Sequence, residues 1–223
     1  MQEKKAKKVL DHVKSTYDNI AEEFAESRNY IGKEFKHFLP YLKGQIIDLG
    51  CGNGRFAAFL DTKKITCDYL GIDNNSKFLQ IAKKTYPKRH FIEGDQLSMP
   101  VEDNSVDTLL NIRAFHHIPS KNLRRVSLLE MRRTLKKDGI LIISVWNLWQ
   151  KKYWKQLAAA ILRSIFTLGT YEYNDTFIPW KGKDKRYYHA FTKSELKKSI
   201  EKADFTILKL FEVGKDIIII AKK

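Results

Sequence analysis

Apolar positions along the chain switch between two spacings. Residues 5–26 carry Val9, His12, Val13, Tyr17, Ile20 and Phe24 at helical spacing, which predicts an amphipathic helix, and a second helix is expected at about 31–42. Short apolar runs then alternate with amphipathic stretches. Strands are expected at 45–49, 69–72, 90–92, 106–112 and 140–145. Helices are expected from Arg55, from Ser76 as cap to about Tyr86, and over 122–135, where Lys-Lys-Asp-Gly at 136–139 stops the last. After an inserted helical stretch at about 150–168 and a loop, Thr192 caps a helix running to Ala203, and two strands at 206–212 and 216–222 meet through Gly214. Strands alternating with helices imply a parallel sheet with right-handed crossovers, to which the final hairpin adds an antiparallel strand. The expectation is one domain over 1–223, with N-terminal helices in 1–42 and an insert at 150–190.

Composition narrows the class. With 43% hydrophobic and 30% charged residues the chain reads as globular, and its longest apolar runs fall well short of the roughly 20 residues of a membrane helix. The charged N-terminal stretch has no apolar core of a secretory signal, so a cytoplasmic location, with a nuclear pool allowed, is the expectation. Cys51 and Cys67 cannot build a disulfide framework or a four-ligand zinc site, and no metal is expected. Net charge is +15, from 41 basic and 26 acidic residues, which favours a polyanion such as nucleic acid or an anionic membrane surface. Two clusters stand out: Lys121, Arg124, Arg125, Arg132, Arg133, Lys136 and Lys137, and then Lys181, Lys183, Lys185 and Arg186.

The segment with most chemistry is Asp48-Leu49-Gly50-Cys51-Gly52-Asn53-Gly54, between a strand and a helix. Glycines there let a ligand lie against bare backbone, and the helix N-terminus directs N–H groups at it. A dinucleotide loop would place its third glycine at 55, which is arginine here. The D-x-G-x-G-x-G pattern instead resembles the first motif of class I S-adenosylmethionine (SAM) methyltransferases. Asp73 ends the second strand, where two acceptor oxygens suit a ribose diol, and Asp95 with Gln96 ends the third, where the family reads adenine. Residues 97–107 are similar to the family's approach to the fourth strand.

That resemblance implies an α/β Rossmann-like class I methyltransferase, with a seven-stranded mostly parallel sheet of order 3-2-1-4-5-7-6 and helices on both faces. It implies SAM as cofactor, held by Tyr17, Arg28, Asp48, Gly50, Gly52, Gly54, Asp73, Asn74, Asp95, Gln96 and Asn111. After the fourth strand the chain reads Asn111-Ile112-Arg113-Ala114-Phe115-His116-His117. The Asn/Asp-Pro-Pro-aromatic signature of amino-group methyltransferases is absent there, and so is a cysteine nucleophile for C5 methylation.

Three stretches are similar to the tRNA wobble-uridine carboxymethyl methyltransferases: residues 17–28, His116-His117, and Phe177-Ile178-Pro179-Trp180 with Arg186-Tyr187-Tyr188-His189-Ala190-Phe191. Ser27 replaces the family's threonine, and the 150–176 stretch is shorter and more apolar than the family's. The likeness implies methyl-ester formation on 5-carboxymethyluridine of tRNA, with a small zinc-binding activator subunit on the sheet edge and no membrane partner. Arg113, His116, Arg186 and His189 are then candidates to orient the acceptor carboxylate, and Trp180 and Tyr188 candidates to stack on the base. A quinone- or sterol-type methyltransferase and a noncatalytic SAM-fold partner subunit are the rival readings.

Overall fold

The computed structural model describes every residue except Asn29, Gly169 and Lys183, so the Lys183 member of the second basic cluster lies outside the described residues. Helix α1 (Glu3–Ser27) leads into β1 (Gln45–Leu49), α2 (Arg55–Thr62), β2 (Asp68–Asp73), α3 (Ser76–Thr85), β3 (His90–Glu93), β4 (Val106–Ile112), α4 (Lys121–Thr134) and β5 (Leu135–Trp146). Then come α5 (Trp154–Phe166), the hairpin β6 (Asp175–Pro179) and β7 (Lys185–His189), α6 (Lys193–Glu201), β8 (Thr206–Val213) and β9 (Asp216–Lys222). The main sheet runs β3-β2-β1-β4-β5-β9-β8. Its first five strands are parallel, and β9 is antiparallel to both β5 and β8. This is the expected order, the last two strands being renumbered by the inserted hairpin.

Two apolar layers enclose the sheet. Leu128 and Met131 of α4 and Leu196 and Ile200 of α6 pack on one face against Ile47, Leu109, Leu141 and Ile219. Phe56, Phe59 and Leu60 of α2 and Leu79 of α3 pack on the other against Ile46, Leu110, Ile142 and Ile218. Neighbouring residues of one strand thus serve opposite layers, as strand pleating requires. The insert has a small core of its own, from Leu148, Tyr153, Leu157, Ile178, Tyr188 and Ala190. None of the described helices is long and apolar enough to cross a membrane.

Three local expectations are corrected. The 31–42 helix is two short 3-10 turns, Lys33–His37 and Leu39–Tyr41, because Pro40 offers no N–H and restricts the residue before it. Asn75, not Ser76, caps α3: its side chain accepts from the Phe78 amide at 2.9 Å. The loop expected before Thr192 contains the β6–β7 hairpin. From Arg186 on, β7 is buried on both faces, so it shows no period-two alternation to read. Thr192 does cap α6, accepting from the Glu195 amide.

Candidate functional site

One cavity of about 900 Å³ opens at the carboxyl ends of β1, β2 and β4, beneath α1. Strand β1 delivers Asp48 and then turns through Gly50 and Gly52, both at positive φ. A side chain at Gly50 would collide with Ala114, whereas one at Gly52 would stand in open space on the cavity wall. Bare backbone therefore faces the cavity at Gly52, a cradle into which a ligand can settle. Gly54 is different. It caps α2 in the left-handed region against Tyr86 and Phe91 and does not line the cavity.

Three acidic side chains rim this end. Asp48 is 3% exposed and accepts a hydrogen bond from the Tyr69 hydroxyl at 3.0 Å. Burial pushes its carboxyl up to about 7. Asp73 accepts from the Gly52 amide at 2.8 Å and the Asn75 amide at 2.9 Å, and burial raises it to about 6 despite those donors. Two carboxylate oxygens accept about four hydrogen bonds, so Asp73 keeps capacity for a ligand hydroxyl. Asp95 accepts from the Leu97 amide at 2.8 Å and the Asn74 side chain at 3.2 Å. No ion pair is formed by Asp48, Asp73 or Asp95 among the described residues. Gln96 lines the cavity and is positioned by Asn111. Asn111 is itself fully buried, bonded to the Phe115 amide and away from the cavity wall, so it supports the turn rather than touching a ligand.

Tyr17 of helix α1 and Arg28 at its C-terminal cap close the top. The Tyr17 hydroxyl meets His117 Nε2 at 2.9 Å, and His117 Nδ1 meets the Tyr187 carbonyl at 2.8 Å. Because a carbonyl only accepts, Nδ1 carries the hydrogen and Nε2 accepts from the tyrosine. Burial pushes His117 down to about 3, so it is neutral. His117 was legible as half of a His-His pair but was absent from the expected site. Lys152, Tyr153 and Lys215, also on the wall, sit in segments with no motif to mark them.

The four expected acid-orienting groups divide sharply. Arg113 faces the cavity but is already paired with Asp216, its Nε at 2.9 Å from Oδ1, and with Glu34 at 2.9 Å. His116 lies on the wall and accepts the Trp146 amide on Nδ1 at 2.9 Å; burial holds it well below the usual imidazole range, hence uncharged. His189 is fully buried outside the cavity, with Asp175 at 3.0 Å on Nδ1 and Glu195 at 2.7 Å on Nε2. Both of its nitrogens are spent in a structural network, which corrects its assignment to the acceptor. Glu172, in the same network, is paired with Arg124 at 2.7 Å.

Arg186 remains. It is 4% exposed, lines the cavity and leaves its buried Nε without a partner. Its guanidinium lies 4.9 Å from the Trp180 ring centroid and 5.3 Å from that of Tyr188. Tyr188 lines the cavity, but Trp180 does not: its indole N–H points to Glu23 at 3.3 Å, and its ring supports Arg186 and Arg28 from behind. Cation–π contact stabilises such a guanidinium without supplying the anion it lacks.

A methyltransferase-domain profile matches residues 47–143. A tRNA (carboxymethyluridine(34)-5-O)-methyltransferase of Schizosaccharomyces pombe is 30% identical over 214 residues, covering 89% of this chain and 90% of its own. The chain belongs to this family of class I SAM-dependent methyltransferases. A SAM-dependent methyltransferase from Methanosarcina mazei has the same fold, with a TM-score of 0.73 at 22% identity, covering 87% of this chain and 99% of its own. So does the solved complex of the Haloferax volcanii Trm112 methyltransferase activator with a methyltransferase, at a TM-score of 0.65 and 15% identity, covering 94% of this chain and 96% of its own.

SAM is the cofactor of this methyltransferase, and the site fits it on physical grounds. The cavity holds a bare glycine cradle and three carboxyl groups that form no ion pair among the described residues. Such a set suits a ligand bearing a sulfonium, an ammonium, a diol and an exocyclic amine.

Proposed function

We propose that this methyltransferase esterifies the carboxylate of 5-carboxymethyluridine at the wobble position of tRNA. The observation that carries the reading is Arg186, a buried guanidinium on the cavity wall whose Nε has no partner and which forms no ion pair among the described residues. A buried cation is costly unless paired, so an acid entering this compartment would supply the missing partner. The acceptor carboxylate, with a pKa of about 4, is ionised at neutral pH and needs no general base. Neutral His116 and His117 are consistent with that, since neither is asked to take a proton. SAM, when bound, supplies a methyl carbon on a positive sulfur that leaves as a neutral thioether. The protein's share is placement: Asp48, Asp73 and Asp95 fix the donor, Arg186 turns the acid toward it, and Tyr188 offers a face to the base.

Relatives named for the carboxymethyluridine reaction support this substrate. The net charge of +15 supports a tRNA partner. The first basic cluster offers fewer free cations to RNA than expected: Arg124 pairs with Glu172, Arg133 with Glu130 and Asp103, and Lys136 with Asp107. A small activator subunit belongs to the same proposal, on the precedent of the Haloferax complex, as does a cytoplasmic location.

The test is methyl transfer from labelled SAM to tRNA bearing 5-carboxymethyluridine, with activator present. Label released by mild alkali, the mark of an ester, is expected. Alkali-stable label, or equal transfer to tRNA lacking the carboxymethyl group, would overturn the substrate assignment while leaving SAM binding intact.

A further inference from the structure

Helix α5 differs from every other surface helix of this chain. Leu157 and Ala160 face inward on the insert core. Its outward stripe is apolar too: Trp154, Ala158, Ile161, Leu162 and Ile165 lie on one face, each three or four residues from another of the set, and are all exposed. The stripe ends in Phe166, 82% exposed, and Leu168, 96% exposed just past the helix. A surface helix should be polar on its outer side. One that is apolar on both sides is covered by something.

Charge selects among the possible covers. From Gly139 to Tyr171 the chain has no Asp or Glu, while Lys151, Lys152 and Lys155 stand at the start of α5. All three lysines are exposed and none forms an ion pair among the described residues. A second copy would bring the same lysines and another +15 against them, which opposes self-association. RNA would use the lysines but has no use for exposed Ile161, Leu162, Ile165 and Leu168, since bases stack on aromatic and guanidinium planes. An anionic lipid surface uses both features. Aliphatic side chains and a tryptophan enter the headgroup boundary while lysines meet the lipid charge.

Against the expectation of no membrane partner, we infer that α5 is an interfacial helix that seats the enzyme on an anionic membrane surface. The protruding Phe166 and Leu168 suit a soft, deformable interface. Lys152 and Tyr153, in the turn just before α5, line the cavity, so its mouth adjoins the seated face. The inference does not rest on the choice of methyl acceptor.

Vesicle co-sedimentation of the full chain tests it, comparing phosphatidylcholine alone with phosphatidylcholine plus phosphatidylserine. Binding is expected only to the anionic vesicles, with a blue shift of tryptophan emission from Trp154. Phe166→Ser with Leu168→Ser should abolish it, and Lys155→Glu should weaken it by about fivefold or more, the factor for one basic side chain near such a surface. All variants should keep wild-type circular dichroism and SAM affinity, since these residues touch neither the core nor the glycine loop. Equal binding to both vesicle types, or none to either, would overturn the inference. So would a dimer in light scattering that the Phe166→Ser, Leu168→Ser variant dissolves, because the occupant would then be a second copy.

Discussion

The cofactor end and the insert each gather three carboxyl groups, one of them buried, and they treat them in opposite ways. Asp48 and Asp73 have hydrogen-bond donors but no ion pair among the described residues, and burial raises both. Asp175 and Glu195 are held below their usual range against the pull of burial, through His189. Glu172 has Arg124. The arginines repeat the contrast: Arg113 and Arg124 have carboxylates, and Arg186 has none among the described residues. Charge compensated inside the protein marks structure. Charge left uncompensated in a cavity marks where a ligand completes the account.

Breaking a compensated pair gives the largest expected effect. Asp175 is fully buried and bonded to both His189 and Tyr187. Asp175→Ala should cost about 3–5 kcal/mol in denaturant unfolding, by stranding its partners. SAM affinity per folded molecule should hold; a large loss there would make the insert network part of the cofactor site.

Arg186 should behave in the reverse sense. Arg186→Met should lower kcat/KM for the carboxylate acceptor by about 1.5–3 kcal/mol, the range for a charged hydrogen bond, with SAM affinity unchanged. Its unfolding free energy should not fall, since no internal ion pair is lost, whereas Arg113→Met should be clearly destabilised. Equal destabilisation of the two variants would erase the distinction. Exposed Lys185→Ala is the surface control, with little expected change in stability.

Asp73→Ala should weaken SAM by about 1–3 kcal/mol in calorimetry, through unpaired ligand hydroxyls. The ionised form is the better acceptor, so wild-type affinity should decline as pH falls through about 6, where Asp73 takes up a proton. In Asp73→Asn that decline should be much reduced, and its persistence would move the titration to another group.

The smallest effect concerns Asp48. The folded protein holds its proton up to about pH 7, while the unfolded chain releases it near pH 4. Between those values the folded state binds more protons, so stability falls as pH rises and levels off above about 7. Asp48→Asn keeps an acceptor for Tyr69 and should raise stability at neutral pH by about 1 kcal/mol while flattening the slope. A parallel-shifted curve of unchanged slope would refute the assignment.

The strands and the glycine loop at the cofactor end were legible in the chain, whereas the strand order came from the family resemblance. Strands and loop follow from local rules: apolar runs make strands, positive φ requires Gly50 and Gly52, and an acid ending β2 or β3 must stand at the strand's carboxyl edge. Spacing is enough because each rule acts within one strand-turn-helix unit. Which charges find partners is set by the packing of distant segments. Arg113 and Arg186, or His116 and His189, look alike in sequence, yet Asp216 lies 103 residues from Arg113 and comes beside it only through the β5–β9 pairing. The same holds for the β6–β7 hairpin, whose β7 is buried on both faces, and for α5, whose apolar pattern is that of a core helix. A side chain's charge is written in the sequence. Whether that charge has a partner, and whether an apolar face has a cover, depends on contacts between segments far apart in the chain.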